Sequence, residues 1–341
     1  YNIPHTGEDL KMVYSLRAHN KLDANRLEAY IQDTYKFMSS GQHTFFTLNY
    51  GVRFSHWNFN RETIFSPRVS LSIVPPFNNN VTFRFATGLY YQAPFFKELR
   101  DTTTVEGTTY ASLNRKIKSQ RSIHFIAAYD YKFKLNDRPY KFTAEAYYKA
   151  LADIVPYSVN NVKVVYDASQ QCSGHSMGVD LKLYGEFVPG TDSWVSLSLM
   201  DTKINLNGVS IPMPTDQRYA LNLYFTDYFP GTDKWRMSLK LAFADGLPFG
   251  PPHKELSSMQ FRAPAYKRAD IGMSYRLFDR EKSEKKKSVF KNVWLGIDCL
   301  NLFGINNVNS YYWITDVTNQ QYAVPNYLTG RQINARLSVE F

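Results

Sequence analysis

Apolar and polar residues alternate with a period of two along most of this chain. The last ten residues show the pattern best, because every second position from Ile333 to Phe341 is apolar and those between are polar or charged. Successive side chains of a strand point to opposite faces, so this period predicts strands with one apolar and one polar face. About thirteen such segments are predicted, near residues 26–38, 43–55, 67–75, 81–93, 122–134, 139–152, 175–188, 194–204, 217–229, 235–245, 268–278, 291–302 and 331–341.

The lengths of these segments and of their connections favour a membrane barrel. Many segments reach ten or more residues, whereas ordinary strands have ~5–6 and a strand tilted across a bilayer needs ~9–11. Outer-membrane barrels have short periplasmic turns and long external loops. Short turns are predicted at residues 39–42, 76–80, 135–138, 189–192 and 230–233, with a longer one at 279–290. Long connections are predicted near 56–66, 94–121, 153–174, 205–216, 246–267 and 303–330.

The polar alternate positions of the predicted strands, which we call the polar parity, include both acidic and basic residues. Burying so many ions in a dry core would cost several kcal/mol each unless they were paired. We therefore expect this parity to line a water-filled or polar-plugged lumen, although a soluble antiparallel sheet with one solvated face gives the same alternation. The charged residues are Arg84, Asp130, Lys132, Lys141, Glu145, Asp180, Lys182, Glu186, Arg236, Lys240, Arg268, Asp270, Arg276, Asp298 and Arg336.

Composition supports strands and excludes a bundle of membrane helices. The chain has 341 residues, of which 16% are aromatic and 21% charged, and its mean hydropathy of −0.39 accompanies no long apolar run. Two similar turns, at residues 187–194 and 228–235, are bracketed by aromatics and predict part of an interfacial girdle. The net charge is +10, but the dense basic cluster at 280–287 contains two acids, which predicts a solvated turn and no nucleic-acid partner.

Candidate catalytic and metal-binding patterns are weak. Residues 174–178 fit G-x-S-x-G, but they lead directly into an alternating strand, whereas a nucleophile elbow needs a helix there. The seven histidines have no paired ligand spacing, and Cys172 and Cys299 lie in different contexts. We expect no enzyme activity, no metal site and no cofactor.

An ordered set of fragments resembles one known family, the TonB-dependent outer-membrane receptors, in the C-terminal part of their barrel. The main fragments are Asn-Leu-Phe-Gly-Ile-Asn-Asn at 301–307, Tyr-Tyr-Trp at 311–313, Val-Pro-Asn-Tyr-Leu-Thr-Gly-Arg at 324–331 and the last strand, which ends in Phe341. Supporting fragments lie at residues 30–33, 66–68, 88–94 and 178–180. The resemblance covers nearly the whole chain.

The resemblance implies an all-β, antiparallel transmembrane β-barrel of about 22 strands, of which residues 1–341 would supply the last thirteen. The plug domain that fills such barrels is absent from this chain. The chain starts at Tyr1 without Met or a leader, so we expect the plug and about nine further strands upstream. The implied function is energy-coupled uptake of a bulky, scarce ligand: a siderophore, vitamin, oligosaccharide or peptide. A passive porin or specific channel is the alternative, and a soluble glycan-binding β-protein a third.

The resemblance also implies partners and contact residues. The partners would be outer-membrane lipid, the plug domain, the TonB complex and the barrel-assembly machinery, which would read Phe341 as a signal; a surface lipoprotein is a further candidate. Ligand contacts should come from external loops that combine aromatic and basic groups. The candidates are Phe95, Phe96, Lys97, Tyr110 and Arg115 in one loop, His253, Phe261, Arg262 and Tyr266 in another, and Tyr311, Tyr312 and Trp313 in a third.

Overall fold

The computed structural model describes residues 15–18, 20–39, 41, 43–105, 108–160, 163–188, 190–250, 261–281, 289–318 and 320–341. These residues form the strands β1 (Ser15–Ala18), β2 (Arg26–Met38), β3 (Phe45–Trp57), β4 (Glu62–Val74), β5 (Val81–Gln92), β6 (Arg100–Val105), β7 (Thr108–Leu113), β8 (Gln120–Leu135), β9 (Arg138–Ile154), β10 (Tyr157–Asn160), β11 (Lys163–Tyr166) and β12 (Cys172–Val188). The others are β13 (Thr191–Leu206), β14 (Val209–Pro212), β15 (Tyr219–Tyr228), β16 (Trp235–Ala244), β17 (Pro248–Phe249), β18 (Phe261–Arg262), β19 (Tyr266–Asp279), β20 (Asn292–Leu300), β21 (Val308–Thr315), β22 (Gln321–Tyr327) and β23 (Gln332–Glu340). No helix among the described residues is long and apolar enough to cross a membrane.

Thirteen long strands form one antiparallel sheet in which chain neighbours are hydrogen-bonded neighbours. The order is β2, β3, β4, β5, β8, β9, β12, β13, β15, β16, β19, β20 and β23, and β14 adds to the end of β13. Each predicted strand corresponds to one of these thirteen, so the all-β prediction and the strand count are confirmed. The edges are β2, whose side chains are all exposed, and β23, whose side chains are nearly all exposed. In the described part of the chain, no pairing joins these edges.

The register divides the sheet into an apolar face and a polar face. One row of the apolar face runs through Leu71, Phe85, Ala127, Ala146 and Val179, each paired with the next on the neighbouring strand. Phe85 is 47% exposed there, whereas Asp130 on the polar face is 8% exposed. The polar face is therefore the more enclosed one, as expected for the inner side of a curved sheet.

Charged side chains of the polar face form ion pairs with one another. The Asp130 carboxylate lies 2.9 Å from Arg84 Nε and 3.4 Å from Lys141 Nζ, and it accepts a hydrogen bond of 2.8 Å from the Thr143 hydroxyl. Similarly, Arg268 Nε lies 2.7 Å from Asp270 Oδ1. A half-buried carboxylate needs such partners because each unpaired ion loses hydration. The predicted polar interior is thus a network of ion pairs along the wall.

The short connections lie at the end of the sheet where Phe341 lies. Asn136 and Asp137 make a two-residue turn with φ of 50° and 61°, as in a type I′ hairpin. The Phe341 ring packs 5.6 Å from Phe290, beside the Lys291–Glu340 ion pair of 2.7 Å. Residues 282–288, which include most of the basic cluster, lie outside the described residues.

The predicted long connection near 56–66 is wrong. Pairing of β3 with β4 continues to Trp57 and Glu62, which leaves only residues 58–61 as a turn. Arg61 adopts a φ of 56° there. Polar residues on both sides of this turn hide the strand period, because this end of the strands extends beyond the apolar part of the sheet.

The two turns with similar sequences place their tryptophans on opposite faces. In the first, Val188 pairs directly with Thr191, and Trp194 then lies opposite Tyr184 on the polar face, with Lys182 Nζ 5.5 Å from its ring centre. In the second, the Phe229 amide bonds to the Trp235 carbonyl across a longer turn, and Trp235 packs 4.7 Å from Tyr275 on the apolar face. The girdle prediction therefore fails for Trp194, because the two hairpins close at different residues.

Neighbouring residues near the middle of β13 test the assignment of faces. Leu199 lies on the apolar face and Ser198 on the polar face. We expect Leu199→Arg to lower the free energy of unfolding in lipid vesicles by about 2–4 kcal/mol, because the guanidinium would enter hydrocarbon. Ser198→Arg is the control and should change it little. If unfolding with guanidinium chloride shows the same loss of free energy for both variants, the assignment of faces is wrong.

Candidate ligand-binding surface

The connections at the end opposite Phe341 pack around a shared apolar core. Three connections contribute to it, so they support one another as a single loop platform. Because these side chains are removed from water, their packing should hold the exposed residues above them in place. The buried members are Trp57, Phe59, Leu99, Ile117, Val155 and Ala168.

Side-chain hydrogen bonds fix the backbone of this loop platform. The Glu62 carboxylate accepts a hydrogen bond of 3.0 Å from the Ser119 amide. The Asn60 side-chain amide donates to the Ile117 carbonyl at 2.9 Å, and that of Asn114 donates to the Ala168 carbonyl at 2.9 Å. Loop carbonyls that water would otherwise solvate are thus satisfied within the platform.

Five of the predicted contact residues lie on this platform. Phe95, Phe96 and Lys97 are exposed on a turn that is anchored by the fully buried Leu99. Tyr110 is exposed on β7, and Arg115 places its guanidinium carbon 5.3 Å from the centre of a ring, that of Phe59. Aromatic and basic groups are therefore presented around one platform, and their role in ligand contact stays a prediction.

A second aromatic cluster joins two further loops. The Phe249 ring lies 4.2 Å from that of Tyr311 and 5.7 Å from that of Phe261. Trp313 lines a small cavity beside them, of about 80 Å³. Ligand pockets usually have ~300–1,000 Å³. A bulky ligand would therefore bind across this surface rather than inside it.

Two further predicted residues, Tyr312 and Tyr266, do not join either cluster. Tyr312 is exposed on β21, between Tyr311 and Trp313 and on the opposite face. Tyr266 begins β19, where it pairs with Ala244. His253 lies outside the described residues. Sequence reasoning missed Phe249, although it stands within the Pro-Phe-Gly-Pro-Pro stretch at 248–252 that marks a loop.

Arg262 is occupied by ion pairs. Its guanidinium pairs with Asp216, which is fully buried, and lies 3.2 Å from Asp245 Oδ2. Arg218 Nε pairs with the same Asp245 oxygen at 2.5 Å. These ion pairs link the connection at 205–216 to the connection that follows β16. Arg262 thus positions loops, and no spacing in the sequence identifies its partners, since Asp216 lies 46 residues away.

The hydrogen bond from Arg218, together with the nearby charges of Arg218 and Arg262, lowers the pKa of Asp245 below its ordinary value of 3.8. In the second aromatic cluster, burial raises the pKa of Tyr311 above its ordinary value, and its phenol stays neutral at physiological pH. The Tyr311 phenol is therefore neutral, and the buried Asp245 carboxylate stays charged within its ion pairs.

Comparison with known proteins assigns the family. Residues 4–308 match the family model described as TonB dependent receptor-like, beta-barrel. The chain belongs to this family of receptor barrels. It is a family of receptors and transporters of the Gram-negative outer membrane, and it is not a family of enzymes. No curated protein sequence matches the chain.

Solved structures of TonB-dependent receptors share the fold. A mutant of the ferric enterobactin receptor of Pseudomonas aeruginosa has a TM-score of 0.61 and 16% identity, covering 92% of this chain and 44% of that one. The outer membrane transporter YddB of Escherichia coli has a TM-score of 0.60 and 13% identity, covering 93% and 50%. A copper transporter, OprC, has a TM-score of 0.58 and 13% identity, covering 92% and 47%. This receptor chain spans about half the length of these neighbours.

The described part of this receptor barrel holds no group of three or more His, Cys, Asp and Glu residues that could bind a metal ion. The G-x-S-x-G segment lies entirely within β12, where the Ser176 hydroxyl is 2.9 Å from that of Thr202. It forms a strand and not a nucleophile elbow.

The ion cluster around Arg262 makes a testable contribution to loop order. We expect Arg262→Gln to weaken local stability by about 3–5 kcal/mol, because it leaves the buried Asp216 carboxylate without its cation. Hydrogen exchange of residues 205–216 should accelerate accordingly. Arg115→Gln, which removes an exposed cation from another loop, is the control. Unchanged exchange in the Arg262 variant would show that the cluster does not hold the loops.

The same cluster should be sensitive to acid. Because the pKa of Asp245 is lower in the folded receptor than in the unfolded chain, its contribution to stability is complete above the ordinary carboxyl pKa. This contribution is lost as the pH falls below about 4 and then through the pKa of Asp245 in the folded receptor. The protection of residues 245–250 from hydrogen exchange, taken relative to the intrinsic exchange rate at each pH, should thus fall in acid. In Asp245→Asn, this pH dependence should be absent; if it persists, another group causes it.

Proposed function

We propose that this chain supplies the last thirteen strands of an outer-membrane receptor that takes up a bulky, scarce ligand by TonB-dependent, energy-coupled transport. The observation that carries the proposal is one antiparallel sheet with an apolar face, a charged face and loops packed into a platform at one end. Each of these features suits a wall between lipid and a polar lumen.

The edges of the sheet support a larger barrel. In hydrocarbon, unpaired amides and carbonyls along β2 and β23 would each cost several kcal/mol. About nine more strands would pair both edges and give the family's usual number. The ion pairs on the polar face, such as Arg84–Asp130, need water or a polar partner beside them. A plug domain encoded with those strands would supply such a partner, and it would carry the segment that contacts the TonB complex.

The ligand would bind first at the external loops. Phe95, Phe96, Lys97, Tyr110 and Arg115 offer aromatic and cationic groups on a supported platform, and Tyr311 and Phe261 offer a second aromatic surface. Such groups suit siderophores, vitamins, oligosaccharides and peptides. The structural neighbours include a ferric enterobactin receptor and a copper transporter.

An uptake assay tests this function. It compares cells with and without the full-length receptor, and its probes are radiolabelled ferric enterobactin and a labelled maltooligosaccharide. We expect the receptor in the outer-membrane fraction, and uptake of one probe that stops when a protonophore removes the proton gradient. Phe95→Ala with Phe96→Ala should weaken binding about tenfold by removing apolar contact, whereas Phe77→Ala, an exposed phenylalanine in a short turn, should not. Receptor-dependent uptake that survives the protonophore would instead indicate a passive channel.

A further inference from the structure

The apolar face carries one pronounced depression. Its volume is about 600 Å³, and it lies over β4, β5, β8 and β9. Ala127 and Ala146 pair directly and form its floor, while Phe85, Phe125 and Tyr148 form its walls. Small residues opposite each other within a row of large ones leave an apolar groove, which we call the alanine groove.

Ionic and hydrogen-bonding groups lie next to the alanine groove on the side of the loops. The Tyr148 ring, which lines the groove, lies parallel to that of His175 with their centres 6.3 Å apart. His175 pairs with Lys203 across the β12–β13 ladder, so Lys203 occupies the same face. Asp201 fixes both, at 3.0 Å from His175 Nε2 and 2.8 Å from Lys203 Nζ.

A further cation lies on the same face, three strands away from Lys203. Arg121 is exposed on the apolar face of β8. It lies two residues from Ile123, which shares a row of paired residues with Ala150 and His175. Within the described ranges, Arg121 makes no ion pair, so its charge is available to a ligand. Lys203 is 41% exposed despite its contact with Asp201. The rim of the groove therefore offers two accessible cations.

We propose that the alanine groove and this rim bind an outer-leaflet lipid with a phosphate-bearing headgroup. One acyl chain would lie between Phe85, Phe125 and Tyr148, and the phosphate would contact Lys203 and Arg121. Charge complementarity supports a lipid as the occupant, because the cations lie at the loop side of the groove, where headgroups would be. The inference rests on the outer-membrane placement proposed above.

Both halves of the site are needed for specificity. The groove alone would accept any acyl chain, and the cations alone would attract any anion at the interface. Arg121, His175 and Lys203 are placed on neighbouring strands by the register of β8, β9, β12 and β13. A single lipid can thus contact groove and rim together, which explains why the two features would act as one site.

Native mass spectrometry of the full-length receptor in detergent tests the site. The probes are a phosphorylated glucosamine glycolipid with acyl chains and its dephosphorylated form. We expect Ala146→Phe, which fills the groove, and the double variant Arg121→Gln with Lys203→Gln each to weaken binding of the phosphorylated probe about fivefold or more. The dephosphorylated probe should bind the wild type about as weakly as the phosphorylated probe binds the charge variant.

Matched controls separate the site from general effects. Ala335→Phe adds the same ring on the apolar face of β23, and Lys267→Gln removes a cation from the apolar face of β19. Neither should change binding, and all variants should keep the unfolding midpoint of the wild type. Equal losses in the controls, equal binding of both probes, or a second receptor copy in place of lipid would overturn the proposal.

The two proposals can fail separately. A receptor that is missing from the outer-membrane fraction would remove the proposed function and this site together. A receptor that sits there and takes up its ligand only with a proton gradient, but binds both lipid probes equally, would refute the lipid site alone.

Discussion

Hydrogen bonding between strands that are neighbours in the chain is the interaction on which the rest of this structure depends. Each of the eleven inner strands satisfies its backbone through the strands on both sides of it, and the edge strands β2 and β23 pair on one side only. That register places most apolar side chains on one face and most charged side chains on the other. Because backbone groups are satisfied within the sheet, the apolar face can meet hydrocarbon and the polar face can enclose ion pairs such as Arg84–Asp130.

The sequence predicts the sheet well because strand period and strand length are local properties. Turn closure is less predictable. Trp194 and Trp235 stand in nearly the same octapeptide, yet the first hairpin closes between Val188 and Thr191 after a register shift and the second between Phe229 and Trp235, and the two rings lie on opposite faces. Contacts between loops are the least predictable. Arg262 looked like a ligand contact, but its partners, Asp216 and Asp245, come from other connections and become visible only when the sheet brings the loops together.

The two ends of the sheet differ in how they are held. Tight hairpins such as Asn136–Asp137 close one end through backbone conformation alone. The other end depends on tertiary packing, with Leu99 and Ile117 buried beneath exposed aromatics and Asp216 buried beneath Arg262. A receptor surface that must recognise a bulky ligand benefits from such support, since residues ordered before binding lose less entropy on contact. The proposed ligand surface and the alanine groove therefore both depend on one scaffold.

The most direct test of the central claim is the accessibility of nitroxide labels placed singly at residues 195 to 200 of the full-length receptor in lipid vesicles. Our account predicts that oxygen, which concentrates in hydrocarbon, relaxes labels at 195, 197 and 199, while a water-soluble nickel chelate relaxes labels at 196, 198 and 200. This period of two would place β13 in the wall between lipid and a polar interior. Uniform access of the nickel chelate to all six positions would contradict it.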